Sequence, residues 1–261
     1  MEFFDSHAHY NDEKFNLDRE EIISNIYKSG VTSFVCAGYS LQSSKQAIEI
    51  AKKYKFIYST VGVSPNDIAA DWKSDVEELD TILNENRNNK DAKIVAVGEI
   101  GLDYHYDIEK TLQKEAFIEQ IKLANKYNLP IVIHTREAVS DTIEILKAHP
   151  VNKKGVFHCC PFNRELIKEA LKLGFYISIA GPITFKNSKN AEEIANLVPL
   201  DKMLIETDSP YLAPEPVRGT RNDSRNVKYT AEKIANFRNT SLEEIAKHTY
   251  ENTKKIFEIQ Q

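Results

Sequence analysis

Ile94-Val95-Ala96-Val97-Gly98-Glu99 is an apolar run of strand length that delivers a carboxylate at its far end. A continuous apolar run this short reads as a strand buried on both faces, as in a parallel sheet. The same grammar recurs along the chain. Apolar runs at 3–6, 34–37, 57–61, 94–97, 131–133, 156–157, 176–179 and 203–205 alternate with amphipathic stretches near 17–29, 41–53, 75–88, 110–127, 137–148, 163–173, 189–198 and 228–238. Eight such repeats predict a (β/α)8 TIM-type barrel, a fold that needs roughly 250 residues. The 261 residues are therefore read as one barrel domain spanning 1–261.

Local punctuation agrees with this division. Gly30 and Gly174 follow helical stretches, and Pro130 precedes a strand. Ser74-Asp75-Val76-Glu77 and Thr240-Ser241-Leu242-Glu243 have the form of capping boxes, so helices are expected to start there. The longest stretch without a period, 209–226, follows the last strand and carries Pro210, Pro214, Pro216 and Gly219. Loops after barrel strands form the face on which barrel enzymes place their chemistry, so substrate contacts are expected here.

Composition narrows the function classes. With 41% hydrophobic and 28% charged residues the chain has the make-up of an ordinary folded domain. No apolar stretch approaches the roughly 18 residues of a membrane span, and the first residues lack the pattern of a leader, so a cytoplasmic location is expected. Cys36, Cys159 and Cys160 are expected to be free thiols in a reducing compartment. A net charge of −5 supplies no global attraction to nucleic acid, leaving local patches to do so.

The chemistry sits at the strand ends. His7 and His9 are two apart, a spacing that on an extended strand turns both imidazoles to one side. Glu99, His134 and His158 each follow an apolar run, where a charged or polar side chain needs compensation. After the last run come Glu206 and Asp208, again two apart, so both stand as candidates on geometry. Imidazoles and carboxylates gathered from several strand ends are the donor set of a divalent-metal site, suited to Zn²⁺ or Mn²⁺ and tolerant of Mg²⁺. A carboxylate such as Glu99 can bridge two ions. His105, His149 and His248 stand in loop or helical contexts and are set aside, and Cys159 is read as a core residue. Arg218, Arg221 and Arg225, with Lys228, make a basic cluster in and after the long final loop, where guanidinium forks suit phosphate.

Five ordered motifs carry a resemblance to a family. They are Asp5-Ser6-His7-Ala8-His9, Gly98-Glu99-Ile100-Gly101-Leu102-Asp103-Tyr104, His134-Thr135-Arg136-Glu137 with His158-Cys159, Glu206-Thr207-Asp208-Ser209-Pro210-Tyr211-Leu212-Ala213-Pro214, and Arg218-Gly219-Thr220-Arg221-Asn222. Together they resemble the TatD-type metal-dependent deoxyribonucleases, a branch of the amidohydrolase-like metal hydrolases. The resemblance implies a barrel with one or two divalent ions held by His7, His9, Glu99, His134, His158 and Asp208, with Glu99 bridging when two are present. It selects Asp208 over Glu206 as the ligand. It also implies hydrolysis of DNA phosphodiester bonds, commonly from the 3′ end. The sequence departs from the family at Ser64, where a histidine is usual, and at Asp223-Ser224, where Glu-Pro is usual.

The expected mechanism is attack of metal-activated water on a phosphodiester, with Asp208 and Glu99 as the catalytic carboxylates. Arg218 and Arg221 are expected to hold flanking phosphates and Tyr104 to stack a base. No obligate protein partner is implied. The competing expectations are a metal-dependent amidase, esterase or lactonase on the same barrel, and a silent binding scaffold.

Overall fold

The computed structural model of the chain describes residues 1–260. Eight strands, β1 (Phe3–Ala8), β2 (Val31–Cys36), β3 (Ile57–Val61), β4 (Ile94–Asp103), β5 (Ile131–Arg136), β6 (Gly155–Phe157), β7 (Tyr176–Ile179) and β8 (Met203–Ile205), pair in chain order, every neighbour parallel. Helices α1 (Arg19–Lys28), α2 (Leu41–Lys53), α3 (Trp72–Asn86), α4 (Lys110–Tyr127), α5 (Val139–Ala148), α6 (Arg164–Lys172), α7 (Ala191–Leu197) and α8 (Val227–Arg238) alternate with them, and α9 (Leu242–Ile256) follows. This is the expected (β/α)8 barrel. Gln261, the last residue of the expected domain, lies outside the described residues.

Alternation along each strand makes two cores. One buried set, Phe4, Val35, Ala96, Val132, Val156, Tyr176 and Leu204, draws on seven of the eight strands, with Tyr58 of β3 packed against it. Ile256 and Phe257, from the end of α9, join this set, and Asn252 of the same helix donates to the carbonyl of Met203 at 2.9 Å. The larger core lies between sheet and helices, with residues such as Phe34, Ile57, Phe117 and Ile133 fully buried. Burying these apolar side chains stabilises the fold by roughly 25 cal/mol per Å² removed from water.

The last strand meets the first through a narrow seam. β1 and the segment after β8 share a single parallel bridge, Ala8 with Ser209, and the hydrogen bonds His9 N–H to Ser209 C=O (2.7 Å) and Asp208 N–H to His7 C=O (3.0 Å). Asp5 braces the seam, accepting from Thr207 N–H (2.9 Å), Thr207 Oγ1 (2.5 Å) and Ser224 Oγ (2.5 Å).

Two helix starts differ from expectation. α3 begins at Trp72, ahead of the box predicted at Ser74, because the indole is buried and draws the chain into helix earlier. α9 is capped by Ser241, which accepts from Glu244 N–H at 3.1 Å, one residue beyond the predicted register. A reciprocal box that the sequence reading did not find joins Ser40 and Ser43 at the start of α2, with serine where the pattern asks for Glu or Gln. Gly30 and Gly174 do end helices, at φ +93° and +91°, values that glycine adopts without a Cβ clash. Among the described residues no helix is long and apolar enough to cross a membrane.

Candidate metal centre

The strand ends bring six side chains to one mouth of the barrel. His7 lies in β1 and His9 just beyond it, Glu99 in β4, His134 in β5, His158 after β6, and Asp208 after β8. His7, His9, Glu99 and His158 are buried, while His134 and Asp208 are partly open to the cleft above them. Glu99 divides its two oxygens. Oε1 lies 2.8 Å from His134 Nδ1 and 3.2 Å from His158 Nε2, whereas Oε2 faces His7 Nε2 at 3.4 Å and His9 Nε2 at 3.7 Å. Asp208 Oδ1 adds to the second group, 3.2 Å from His9 Nε2 and 3.8 Å from His7 Nε2.

The outward nitrogens set the tautomers. His134 Nε2 contacts Asp103 Oδ2 at 3.0 Å, His158 Nδ1 contacts Glu206 Oε1 at 3.2 Å, and His9 Nδ1 contacts the carbonyl of Ala37 at 3.2 Å. Each of these partners accepts, so each outward nitrogen carries the proton and the inward nitrogen presents a lone pair. In the neutral rings the lone pairs of His134 and His158 then face one another 3.1 Å apart and that of His9 faces His7 Nε2 at the same distance, with carboxylate oxygens alongside. Acceptors crowded against acceptors are stable around positive charge. The sets His7–Glu99–His158 and His7–His9–Asp208 keep their donor atoms within 4.8 Å of one another, so the residues fit a divalent cation by chemistry and by spacing.

The electrostatics point the same way. Burial would raise the Glu99 carboxyl, but the charge of His158 and hydrogen bonds with His134, His158 and His7 hold it well below the usual carboxylate range. Burial would lower His158, yet Glu99 and Glu206 carry it well above its ordinary value. Asp208 raises His9, and Asp103 and Glu99 raise His134, each against burial. At His7 burial wins and the pKa falls. The cluster therefore attracts positive charge at three imidazoles while keeping its carboxylates ionised. Burial pushes Asp5, at the seam, up to about 7 despite its hydrogen bonds from Ser224 and Thr207.

A cleft of about 630 Å³ opens over the cluster. Tyr39, Ser64, Asp67, Tyr106, Arg136 and Tyr211 line it beside the histidines and carboxylates. Ser64, where the resemblance leads one to expect a histidine, donates to Asp67 Oδ2 at 2.8 Å. A larger hollow of about 730 Å³ lies beside α9, lined by Phe4, Tyr58 and Tyr250, and none of the six clustered residues borders it.

Three expected substrate contacts stand outside the cleft lining. Tyr104 turns its hydroxyl to Asp141 and has Lys110 Nζ over its ring at 4.3 Å. Arg221 makes a two-pronged pair with Asp18, at 2.9 and 2.5 Å, and Arg218 stacks its guanidinium 3.6 Å from the centre of the Phe185 ring. The polar atoms of Tyr104 and Arg221 are already engaged within the protein, whereas Arg218 makes only the ring contact. Conversely, the sequence reading assigned no role to Asp103 or Arg136 and weighed Glu206 only as a rival ligand. Asp103 stands four residues after Glu99, a spacing that returns to the same side of a strand, and that signal was present. Cys36, Cys159 and Cys160 are free thiols.

A parallel barrel with a histidine–carboxylate cluster at the strand ends defines the class of barrel metal-dependent hydrolases. The sequence model of the family described as TatD related DNase matches residues 4–258, and this chain belongs to that family. It is 41% identical over 258 residues to the uncharacterized metal-dependent hydrolase YabD of Bacillus subtilis, covering 98% of this chain and 99% of that one. It is 34% identical over 264 residues to the uncharacterized metal-dependent hydrolase YcfH of Escherichia coli K12, covering 99% and 97%. The crystal structure of YjjV, a TatD homolog from Escherichia coli, superposes with a TM-score of 0.91 at 26% identity over 99% of this chain and 98% of that one.

Proposed function

We propose that this chain, acting as one domain, hydrolyses phosphodiester bonds of DNA, shortening single strands or exposed ends from the 3′ side. One or two divalent cations, Mg²⁺, Mn²⁺ or Zn²⁺, would be held by His7, His9, Glu99, His134, His158 and Asp208. The observation that carries the reading is the division of Glu99, whose Oε1 serves His134 and His158 while Oε2 serves His7 and His9. One carboxylate set between two nitrogen pairs suits a pair of cations. When bound, such cations supply Lewis-acid charge to the phosphoryl oxygens and acidify the attacking water.

The protein's own residues supply the rest. Asp208 stands at the open edge of the cluster, its carboxyl lowered by His9 against burial, and is the group assigned to take the proton of the attacking water. Asp103 and Glu206 hold His134 and His158 in the tautomers that leave lone pairs for metal. The family's description supports DNA as the substrate. An arginine in the cleft favours an anionic substrate over a neutral lactone, ester or amide.

The test couples elemental analysis of protein purified without chelator to digestion of end-labelled single-stranded oligonucleotides in Mg²⁺, Mn²⁺ or Zn²⁺. A panel of lactones and cyclic amides runs beside it. Stepwise loss of nucleotides from the 3′ end is expected. Hydrolysis confined to the carbonyl panel would overturn the DNA reading, and metal-free protein inert on every substrate would restore the scaffold.

A further inference from the structure

A polynucleotide entering the cleft carries negative charge on both sides of the bond to be cut, and the cluster below it contributes Glu99 and Asp208. Among the described residues lining the cleft, Arg136 is the only lysine or arginine. It ends β5 two residues beyond His134, so the period of the strand puts both side chains on one face, about 6.6 Å apart at 3.3 Å per residue. Arg136 is exposed where His134 is partly buried, which sets its guanidinium toward the mouth of the cleft.

Of the other arginines of this region, Arg221 is paired with Asp18 and Arg225 with Asp223, while Arg218, stacked on Phe185 with its donors also unpaired, does not line the cleft. Arg136 takes part in no ion pair among the described residues. Its guanidinium carbon lies 5.7 Å from the centre of the Tyr106 ring, within reach of a cation–π contact. Tyr106 is 52% exposed and lines the same cleft. The loop that carries it is tied to β5 by the hydrogen bond from Tyr104 N–H to the Arg136 carbonyl, 2.9 Å. A guanidinium steadied by an aromatic face keeps its donors for an incoming acceptor, and its fork matches two phosphate oxygens.

We infer that Arg136, positioned by Tyr106, binds the phosphate next to the scissile one in a single-stranded polynucleotide. This rests on the phosphodiester reading above and adds to it a residue that discriminates chains from isolated diesters. The exposed part of the Tyr106 ring, which the His105 ring meets at 5.2 Å in a T-shaped contact, adjoins the same flanking nucleotide, where a base stacks.

Binding and cleavage are measured separately. Binding is read by fluorescence anisotropy of labelled phosphorothioate dT12, which resists hydrolysis, with protein as purified and across a salt series. Arg136→Met is expected to raise Kd about tenfold and to reduce the slope of log Kd against log salt by about 0.7, the value for one single-strand phosphate contact. Arg136→Lys should restore the slope but only part of the affinity, and Tyr106→Leu should weaken binding with the slope kept. In cleavage with Mn²⁺, the Arg136→Met loss on natural dT12 should exceed its loss on bis(4-nitrophenyl) phosphate at least about fivefold, chiefly through KM.

Unchanged Kd and slope in Arg136→Met, or wild-type protein without salt-dependent binding, overturns the role of Arg136. Wild type that binds through Arg136 and cleaves no oligonucleotide upholds this site and overturns the nuclease reading. Cleavage that is equally efficient in Arg136→Met upholds the nuclease and overturns this site.

Discussion

Asp208 N–H donates to the His7 carbonyl across 3.0 Å, so the joint that closes the barrel also assembles half of the candidate metal centre. His7, His9 and Asp208 meet only because the seam holds β1 beside the segment after β8. Asp5 is the brace, with four donors on its buried carboxylate, three from Thr207 and Ser224 and a longer one from His7 N–H at 3.4 Å. Asp5→Ala leaves the Thr207 N–H and two hydroxyls without that acceptor in the interior. A loss of about 2–4 kcal/mol of stability is expected in urea titration, with metal affinity of the His7–His9–Asp208 set down about tenfold. Wild-type stability with wild-type metal affinity would show that the seam does not depend on Asp5.

The division of Glu99 predicts how metal is lost. If its oxygens serve two cations, His9→Ala and His134→Ala each lower bound metal from about two equivalents to about one, whereas Glu99→Ala lowers both occupancies. Inductively coupled plasma analysis of each variant reads the count. Asp208→Ala should slow diester hydrolysis by about 10²–10⁴-fold, the range for removing a positioned proton acceptor. Chelation of the wild type should lower its Tm, because a cation held at 100 times its Kd adds about 2.7 kcal/mol to the folded state. A single equivalent lost equally through His9 and His134 would mean one shared ion.

Carboxylates that touch only the backs of the histidines are expected to matter nearly as much as ligands. Asp103→Asn and Glu206→Gln keep the shape but offer an amide that faces the imidazole with either its oxygen or its donors, which loosens the tautomer preference. Metal affinity should fall about 10–100-fold, with activity recovered in excess metal. Ligand-like inactivity that no metal concentration relieves would instead place Asp103 or Glu206 on the metal.

The barrel and the clustering of the six strand-end side chains were legible for one reason and the supporting residues illegible for another. Strands announce themselves by apolar runs, and the positions of all eight could be read that way. Their ends could not: β4 reads as 94–97 yet runs to Asp103, because Gly98, Glu99 and Gly101 interrupt the apolar signal while the backbone goes on pairing with β5. The candidate site residue and its flanking glycines themselves erase the pattern that would extend the strand. Asp103 owes its meaning to His134, 31 positions away on the next strand. Arg221 looked like a free charge beside Arg218, but its partner Asp18 lies 203 positions earlier. Arg136 sat inside a motif already quoted, and only the cleft shows that it is the cation there.

That long-range pair yields a prediction opposite to the one its sequence suggests. Arg221 holds Asp18 by two hydrogen bonds, reaches the Lys14 carbonyl at 2.6 Å and lies 4.7 Å from the Phe15 ring centre. Arg221→Ala should therefore leave KM for single-stranded DNA within about twofold while costing stability, about 0.5–1 kcal/mol for a pair roughly a third exposed and screened by solvent. Its pH dependence has a definite sign. The hydrogen bond from Arg221 holds the Asp18 carboxyl below its ordinary value, so the folded state favours the ionised form. The contribution is complete above the unfolded carboxylate value near about 3.9 and is lost as pH falls through the lower folded value. The stability gap between wild type and Arg221→Ala should stay level from about pH 5 to 8, narrow toward about pH 2, and shrink in high salt. A tenfold rise in KM for DNA, or a gap that persists in acid, would return Arg221 to the substrate and remove it from Asp18.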